Sequence, residues 1–360
     1  MKEQQFCTKP FLRDRQRAHL PARNPHCSTA FTDIDLDAPG RQVGFLHIPQ
    51  SPHDDAWGTV RIPMAVLANG DGPTVILEGG NHGDEYEGQI MLGELIRDLP
   101  LERIRGRLIF MPSLNAPAAE AGLRTSPQDG KNLNRSFPGD HAGTITEQIA
   151  AYVSDELFSR GDAFLSLHSG GSSLDIIPSA LVQPTDDPAQ TQRNIDSALA
   201  FGAPFNVLLD TLGDTRTSVA TAVAGGLTCV STEMAGRGTV TDTALELCRT
   251  GALRVLVHWG VLDESYAESV PEPLASPASL FKVLGAKSYV IAPERGVYES
   301  FHRHGEFVEA GQPAGRIHQI FDPRRAPVSL TYTTSGVVFA KRHPGIVVPG
   351  NVCCVVATPT

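Results

Sequence analysis

With 360 residues, 41% of them hydrophobic and 19% charged, the chain can bury a sizeable core and is not composed like a disordered one. Its formal charge of −10 argues against a nucleic acid partner, since duplex binders concentrate Lys and Arg. No run of 18 apolar residues is present, so no transmembrane helix and no membrane partner are expected.

The first 30 residues hold six Lys/Arg against Glu3 and Asp14, with neither an apolar stretch nor an amphipathic pattern. A loosely ordered N-terminal extension over 1–38 is expected there rather than a targeting segment. From residue 39 the pattern becomes regular. Alternation predicts strands over Gln42 to Ile48 and Gly58 to Val66, and Asn69-Gly70-Asp71-Gly72 supplies a turn. Thr74 to Leu77 is a continuous β-rich run that stops in glycine, as a strand buried on both faces should. A helix is predicted over Ile90 to Leu99, a strand over Arg107 to Met111, and a second helix over Thr144 to Phe158, opened by a capping box of Thr144 with Glu147.

Ala163 to Leu167 reads as a strand that runs straight into His168-Ser169-Gly170-Gly171. Helices are expected over Ala189 to Phe201, Thr217 to Ala224 and Thr241 to Trp259, with extended segments over Asn206 to Leu209 and Thr228 to Thr232. Strands alternating with helices predict an α/β fold, a sheet flanked by helices over 39–262. The proline-rich stretch Pro271 to Pro277 marks a linker over 263–279. After it come short β-like segments punctuated by Gly and Pro, so 280–360 is expected to be a small β domain. That part holds nine Lys/Arg against five Asp/Glu, which leaves −14 for the first 279 residues. The six cysteines (Cys7, Cys27, Cys229, Cys248, Cys353, Cys354) form no C-x-x-C pair, pointing to a reduced, cytoplasmic protein.

The candidate chemistry lies at strand ends. In Gly79-Gly80-Asn81-His82-Gly83-Asp84-Glu85, His82 and Glu85 follow a predicted buried strand. With 12 histidines in the chain, His-x-x-Glu alone is close to a chance match, and a solvated glycine-rich turn would explain it as well. The location changes the weighing, because open α/β sheets place ligands beyond the carboxyl ends of their strands. His168 repeats the situation on another strand, and Glu233 ends a third. Two histidines and a carboxylate are good zinc donors, and His₂Glu with an open position is a catalytic arrangement. Between them, residues 122–139 form a long polar loop with Arg124 and Arg135, residue types that hold carboxylates and stabilise an oxyanion. No P-loop, no Gly-x-Gly-x-x-Gly after a strand and no Gly-x-Ser-x-Gly elbow exists, and His302 and His304 have no neighbours that close a metal site.

Together Gly80-Asn81-His82-Gly83-Asp84-Glu85, Asn132-Leu133-Asn134-Arg135, Leu167-His168-Ser169-Gly170-Gly171 and Thr232-Glu233 resemble the succinylglutamate desuccinylase/aspartoacylase family, relatives of the zinc carboxypeptidases. The resemblance covers roughly residues 40–350 in order and spacing. It implies a carboxypeptidase-like mixed sheet flanked by helices with a lipoyl-like C-terminal sandwich. It also implies Zn²⁺ on His82, Glu85 and His168, with Glu233 as general base and then acid. Arg124 would polarise the scissile carbonyl, while Asn134 and Arg135 would grip the substrate carboxylate. Asp54-Asp55-Ala56-Trp57-Gly58 and Arg124-Thr125-Ser126-Pro127 resemble the branch acting on Nα-acetyl-L-2,4-diaminobutyrate.

The implied reaction is hydrolysis of the amide of a small N-acyl amino acid. A carboxypeptidase-like zinc amidase and a non-catalytic binding protein on a hydrolase fold are the alternatives. Relatives commonly carry Asp where Asn132 stands; Asn could accept the same imidazole N–H without lending charge. The C-terminal region shows no lysine at a hairpin tip, so no lipoyl group is expected, and its role would be to wall the site or to join subunits of a homo-oligomer. The glycines beside His82 are expected to let backbone pass close to metal and substrate.

Overall fold

The structure, a computed structural model, describes residues 28–209, 213–269, 279–283, 285–320 and 322–360. In chain order its first half contains β1 (Phe31–Thr32), β2 (Gly40–Pro49), β3 (Thr59–Asn69), β4 (Thr74–Gly79), α1 (Glu87–Asp98), β5 (Gly106–Met111), α2 (Ala116–Ala121) and α3 (Ile145–Tyr152). There follow β6 (Ala163–Leu167), β7 (Leu174–Ile176), β8 (Ser179–Val182), α4 (Pro188–Phe201), β9 (Phe205–Leu209), α5 (Ser218–Ala224), β10 (Thr228–Glu233) and α6 (Asp242–His258). The remainder is strand-rich: β11 (Ser279–Val283), β12 (Tyr289–Ile291), β13 (Gly296–Ser300), β14 (Phe307–Val308), β15 (Pro313–His318), β16 (Val328–Thr331), β17 (Gly336–Arg342), β18 (Ile346–Val347) and β19 (Val352–Pro359).

Local chemistry accounts for the helix ends. Thr144 and Glu147 form the expected capping box at the start of α3. Asp187 caps α4, which has Pro188 in its first turn and Gly202 in the left-handed region at its end (φ 77°). Thr217 and Thr241 accept from backbone N–H groups at the starts of α5 and α6. Helix α1 begins at Glu87, ahead of the expected Ile90, and α3 ends in a π-helical turn over Val153–Leu157.

The main sheet runs β1-β2-β3-β5-β4-β6-β10-β8-β9-β11-β19-β17-β14. Its central strands are buried on both faces, and the alternation divides their side chains between two cores. Val75, Leu77, Leu108, Phe110 and Leu165 pack with α1, α4 and α6, whereas Ile76, Ile109, Met111 and Phe164 pack with α3 and α5. The sheet is mixed, as the family resemblance implies. Ser179–Val182, a run too short to show a period, inserts as β8 antiparallel to β10 and parallel to β9.

Strands β4, β6 and β10 are neighbours and mutually parallel. Their carboxyl ends therefore leave the sheet on one edge, about 4.8 Å apart per step. This places the site.

The C-terminal strands are hydrogen-bonded into the same sheet, since β11 pairs with β9 and β19, and β17 pairs with β7. A second sheet, β16-β15-β13-β18, shares with β12, β14, β17 and β19 a core that includes Val290, Val308, Ile317, Leu330, Val338, Val347 and Val356. The expected linker lies partly outside the described residues, as does most of the expected extension. Cys229, Cys248, Cys353 and Cys354 are free and buried. Among the described residues no helix is long and apolar enough to cross a membrane.

Candidate metal centre and active site

The turn after β4 is held against α2 and β6 by close approach. A Cβ on Gly83 would lie 2.0 Å from the carbonyl carbon of Ala118, and one on Gly88 would lie 2.5 Å from Cβ of Leu167. The absence of a Cβ at these two glycines therefore lets the turn pack on its neighbours. The Gly83 N–H donates to the Leu123 carbonyl at 2.9 Å, tying the turn to the polar loop.

This turn delivers His82 and Glu85, 2% and 3% exposed, to His168 at the end of β6. Nδ1 of His82 lies 2.8 Å from Glu85 Oε1, and Nδ1 of His168 lies 2.7 Å from Glu85 Oε2. One donor atom from each of the three lies within 4.8 Å of the others, and among the described residues this is the one such His/Cys/Asp/Glu group. Two imidazoles and a carboxylate, buried and converging through Nδ1, form a donor set that fits a divalent metal such as Zn²⁺. The far nitrogen of His82, Nε2, lies 3.2 Å from Asn132 Oδ1, so the amide oxygen orients the ring in the way the sequence anticipates.

The electrostatics agree with a cation site. Burial works against the charge on Glu85, yet His82 and His168 hold its pKa well below the usual carboxylate range. Burial also works against a protonated His168, but Glu85, with Glu78 and Glu233, carries its pKa up to about 9. The Glu85 charge thus favours positive charge on the groups that face it.

A pocket of ≈ 140 Å³ opens over these rings. Arg124, Asn134, Arg135 and Glu233 line it together with His82 and His168, and Leu181, Val182, Gln183, Leu209, Thr217, Val219 and Ser231 complete the lining. Glu233 ends β10, one strand beyond His168. Burial, then the nearby Glu85 charge, raises its pKa. The chain past Glu233 is strained, with Ala235 (φ 63°) and Arg237 (φ 65°) in the left-handed region. Backbone bonds hold that turn: Gly170 and Ile176 donate to the Ala235 carbonyl at 3.1 Å, and Gly238 donates to that of Gly171 at 2.7 Å.

Arg124 donates to Glu85 Oε1 at 3.1 Å. Arg135 pairs through Nε with Asp214 at 3.0 Å, and Asp214 is also gripped by Arg216. Asn134 turns its Oδ1 to the Ser218 N–H at 3.0 Å, while its Nδ2 lies 3.5 Å from His168 Nε2. Six of the seven residues singled out in the sequence therefore line one pocket, and the seventh, Glu85, is bonded to three of them, His82, His168 and Arg124. Missed were Asp214 and Arg216, in an irregular stretch without a period, and Glu78, which the sequence presents as one more strand residue.

Residues 71–259 match the succinylglutamate desuccinylase/aspartoacylase catalytic domain. Over 325 residues the chain is 41% identical to the N-alpha-acetyl-L-2,4-diaminobutyric acid deacetylase of Halomonas elongata, covering 90% of this chain and 93% of that protein. The chain belongs to the succinylglutamate desuccinylase/aspartoacylase family. The matched span of that family's catalytic domain contains each of the seven candidate site residues. Among solved structures, the chain is similar to the succinylglutamate desuccinylase/aspartoacylase of Rhodobacter sphaeroides, with 37% identity, a TM-score of 0.85, and coverage of 92% of this chain and 99% of that one. It is also similar to a product-bound ectoine utilization protein EutE (DoeB) of Ruegeria pomeroyi, with 34% identity, a TM-score of 0.86, and coverage of 91% and 98%.

Proposed function

We propose that this chain is a zinc-dependent amidohydrolase that removes the acyl group from a small N-acyl amino acid, with Nα-acetyl-L-2,4-diaminobutyrate as its substrate. The observation that carries the reading is the convergence of His82, Glu85 and His168 beside a pocket lined by Glu233 and two arginines. The 41% identical deacetylase narrows the substrate.

His82, Glu85 and His168 would hold the metal. Zn²⁺ bound there lowers the pKa of a water toward 7 and polarises an amide carbonyl. Glu233 takes the proton from the attacking water and passes it to the departing amine, a task suited to a carboxylate whose pKa burial has raised. Arg124, beside Glu85, donates to the carbonyl oxygen as negative charge develops on it. Arg135, its Nε engaged by Asp214, offers its remaining N–H groups to the substrate carboxylate, and Asn134 supports it. The four buried free cysteines are compatible with a cytoplasmic setting.

The test is metal content by elemental analysis together with acetate release from Nα-acetyl-L-2,4-diaminobutyrate, alongside N-acetylaspartate, N-succinylglutamate and dipeptides. One zinc per chain and preferred cleavage of the first substrate are expected. Preferred cleavage of dipeptides would favour a carboxypeptidase-like enzyme, and zinc-free protein without turnover would sink the catalytic reading.

A further inference from the structure

A buried carboxylate lies below the metal centre and has no part in the chemistry above. Glu78, the next-to-last residue of β4, is 1% exposed. Its Oε1 accepts from Asn81 Nδ2, and more distantly from Ser218 Oγ at 3.4 Å and Ser166 Oγ at 3.5 Å. Its Oε2 is buried without a partner among the described residues.

The β4–β6 register pairs Glu78 with Ser166, and the strand pleat puts Ser166 on the same face as His168. Glu78 and His168 therefore share the face covered by the start of α5. Burial raises the pKa of Glu78, and the charge of His168 works in the opposite direction.

An ionisable group in this position is costly. Two of its hydrogen bonds are long, one oxygen has none, and desolvating a carboxylate disfavours the folded state unless positive charge compensates. The compensating charge is close at hand, at the cation site. That site has a single carboxylate of its own, Glu85, and His82 is backed by the neutral amide oxygen of Asn132, which orients the ring but lends no charge.

We propose that Glu78 is a positioning residue of the metal centre, whose buried negative charge strengthens cation binding at His82, Glu85 and His168. The inference rests on the metal-centre reading given above. Glu78 has a second link to the same ligands, because Asn81 precedes His82 and Ser218 holds the Asn134 amide beside His168.

The experiment uses the full chain stripped of metal. The Zn²⁺ dissociation constant, from competition with a chromogenic chelator, and the metal-free Tm are compared for wild type and Glu78→Gln. Gln keeps the shape and an oxygen for Asn81 but removes the charge. Zinc binding about 10- to 100-fold weaker, with a metal-free Tm equal to or above wild type, is expected. A purely structural Glu78 would instead lower the Tm. A dissociation constant within about twofold of wild type would overturn the proposal, and so would a variant that melts lower or fails to fold. A wild-type chain that takes up no zinc would refute the metal centre itself, an outcome distinct from a zinc-binding wild type with an indifferent variant.

Discussion

Gly83 sits between two proposed metal ligands, and its backbone presses on α2. A Cβ there would stand 2.0 Å from Ala118 C, 2.1 Å from Ala118 O and 2.3 Å from Ala119 N, all backbone atoms of a helix. Ordinary contact begins near 3.4 Å, so Gly83→Ala demands about 1.4 Å of relief from a turn pinned by its N–H to Leu123. Helix backbone yields little, and the turn carrying His82 and Glu85 must move instead. Metal coordination tolerates only about ±0.2 Å. Gly83→Ala should therefore lose about 1–3 kcal/mol of stability through overpacking, and weaken zinc binding by at least the about 10-fold typical of disturbed ligand support. Chelator competition and thermal unfolding of the metal-free chain read the two effects separately. Gly93→Ala is the control. In α1 its Cβ would meet only the tip of Arg97, at 3.3 Å, so it should gain about 0.5–1 kcal/mol. A Gly83→Ala chain with wild-type zinc affinity and wild-type Tm would refute the argument that close packing of this turn fixes the ligands.

Glu233→Gln should retain zinc and lose about 10²- to 10⁴-fold in kcat, measured by acetate release; near-normal turnover would remove the proton-transfer role. Arg135→Ala should raise KM for carboxylate substrates about 10- to 100-fold and leave kcat within a few fold, which steady-state kinetics would show. The third test concerns the ion pair between α1 and α6, where Arg249 donates to both oxygens of Glu94 at 2.7 and 2.6 Å and lowers its pKa. A depressed carboxylate stabilises above the unfolded value of about 4.3 and loses that contribution as pH falls through the folded value. Glu94→Gln should therefore cost about 0.5–1 kcal/mol at pH 7 by denaturant titration, with the difference shrinking to nothing in acid below both values.

The regular elements were legible because their signals are local. Two-sided burial of β4 and β6 produces continuous apolar runs, and the capping residues of α3, α5 and α6 stand where side-chain chemistry requires them. What was missed depends on neighbours far away in the chain. Helix α1 starts at Glu87, and its first turn includes Gly88, which packs on Leu167 of β6 in a contact that no period in residues 87–98 encodes. Strand β8 exists because β9 and β10 offer it edges, and four residues cannot show that pattern. The insertion of β11 and β19 beside β9 is equally non-local, so a region that reads as a separate β unit is joined to the main sheet by hydrogen bonds.

The same distinction explains why the metal centre was faint at one place in the sequence and strong across three. His-x-x-Glu fixes one arm only. The second imidazole arrives because β6 lies directly beside β4 in parallel, and the 5.1 Å between the two ring centroids is close to the step of about 4.8 Å between neighbouring strands. Glu233 stands one further step away on β10. Sheet order, not motif spacing, therefore sets the geometry of the site, and it makes the site depend on register. Slipping β6 by one residue against β4 would turn His168 to the opposite face, toward the core of α1 and α6, and leave Glu85 with a single imidazole. The pairing of Glu78 with Ser166 at the ends of these strands sets the face to which His168 turns, so the strands that bury the core also bring this ligand within reach of the turn that carries His82 and Glu85.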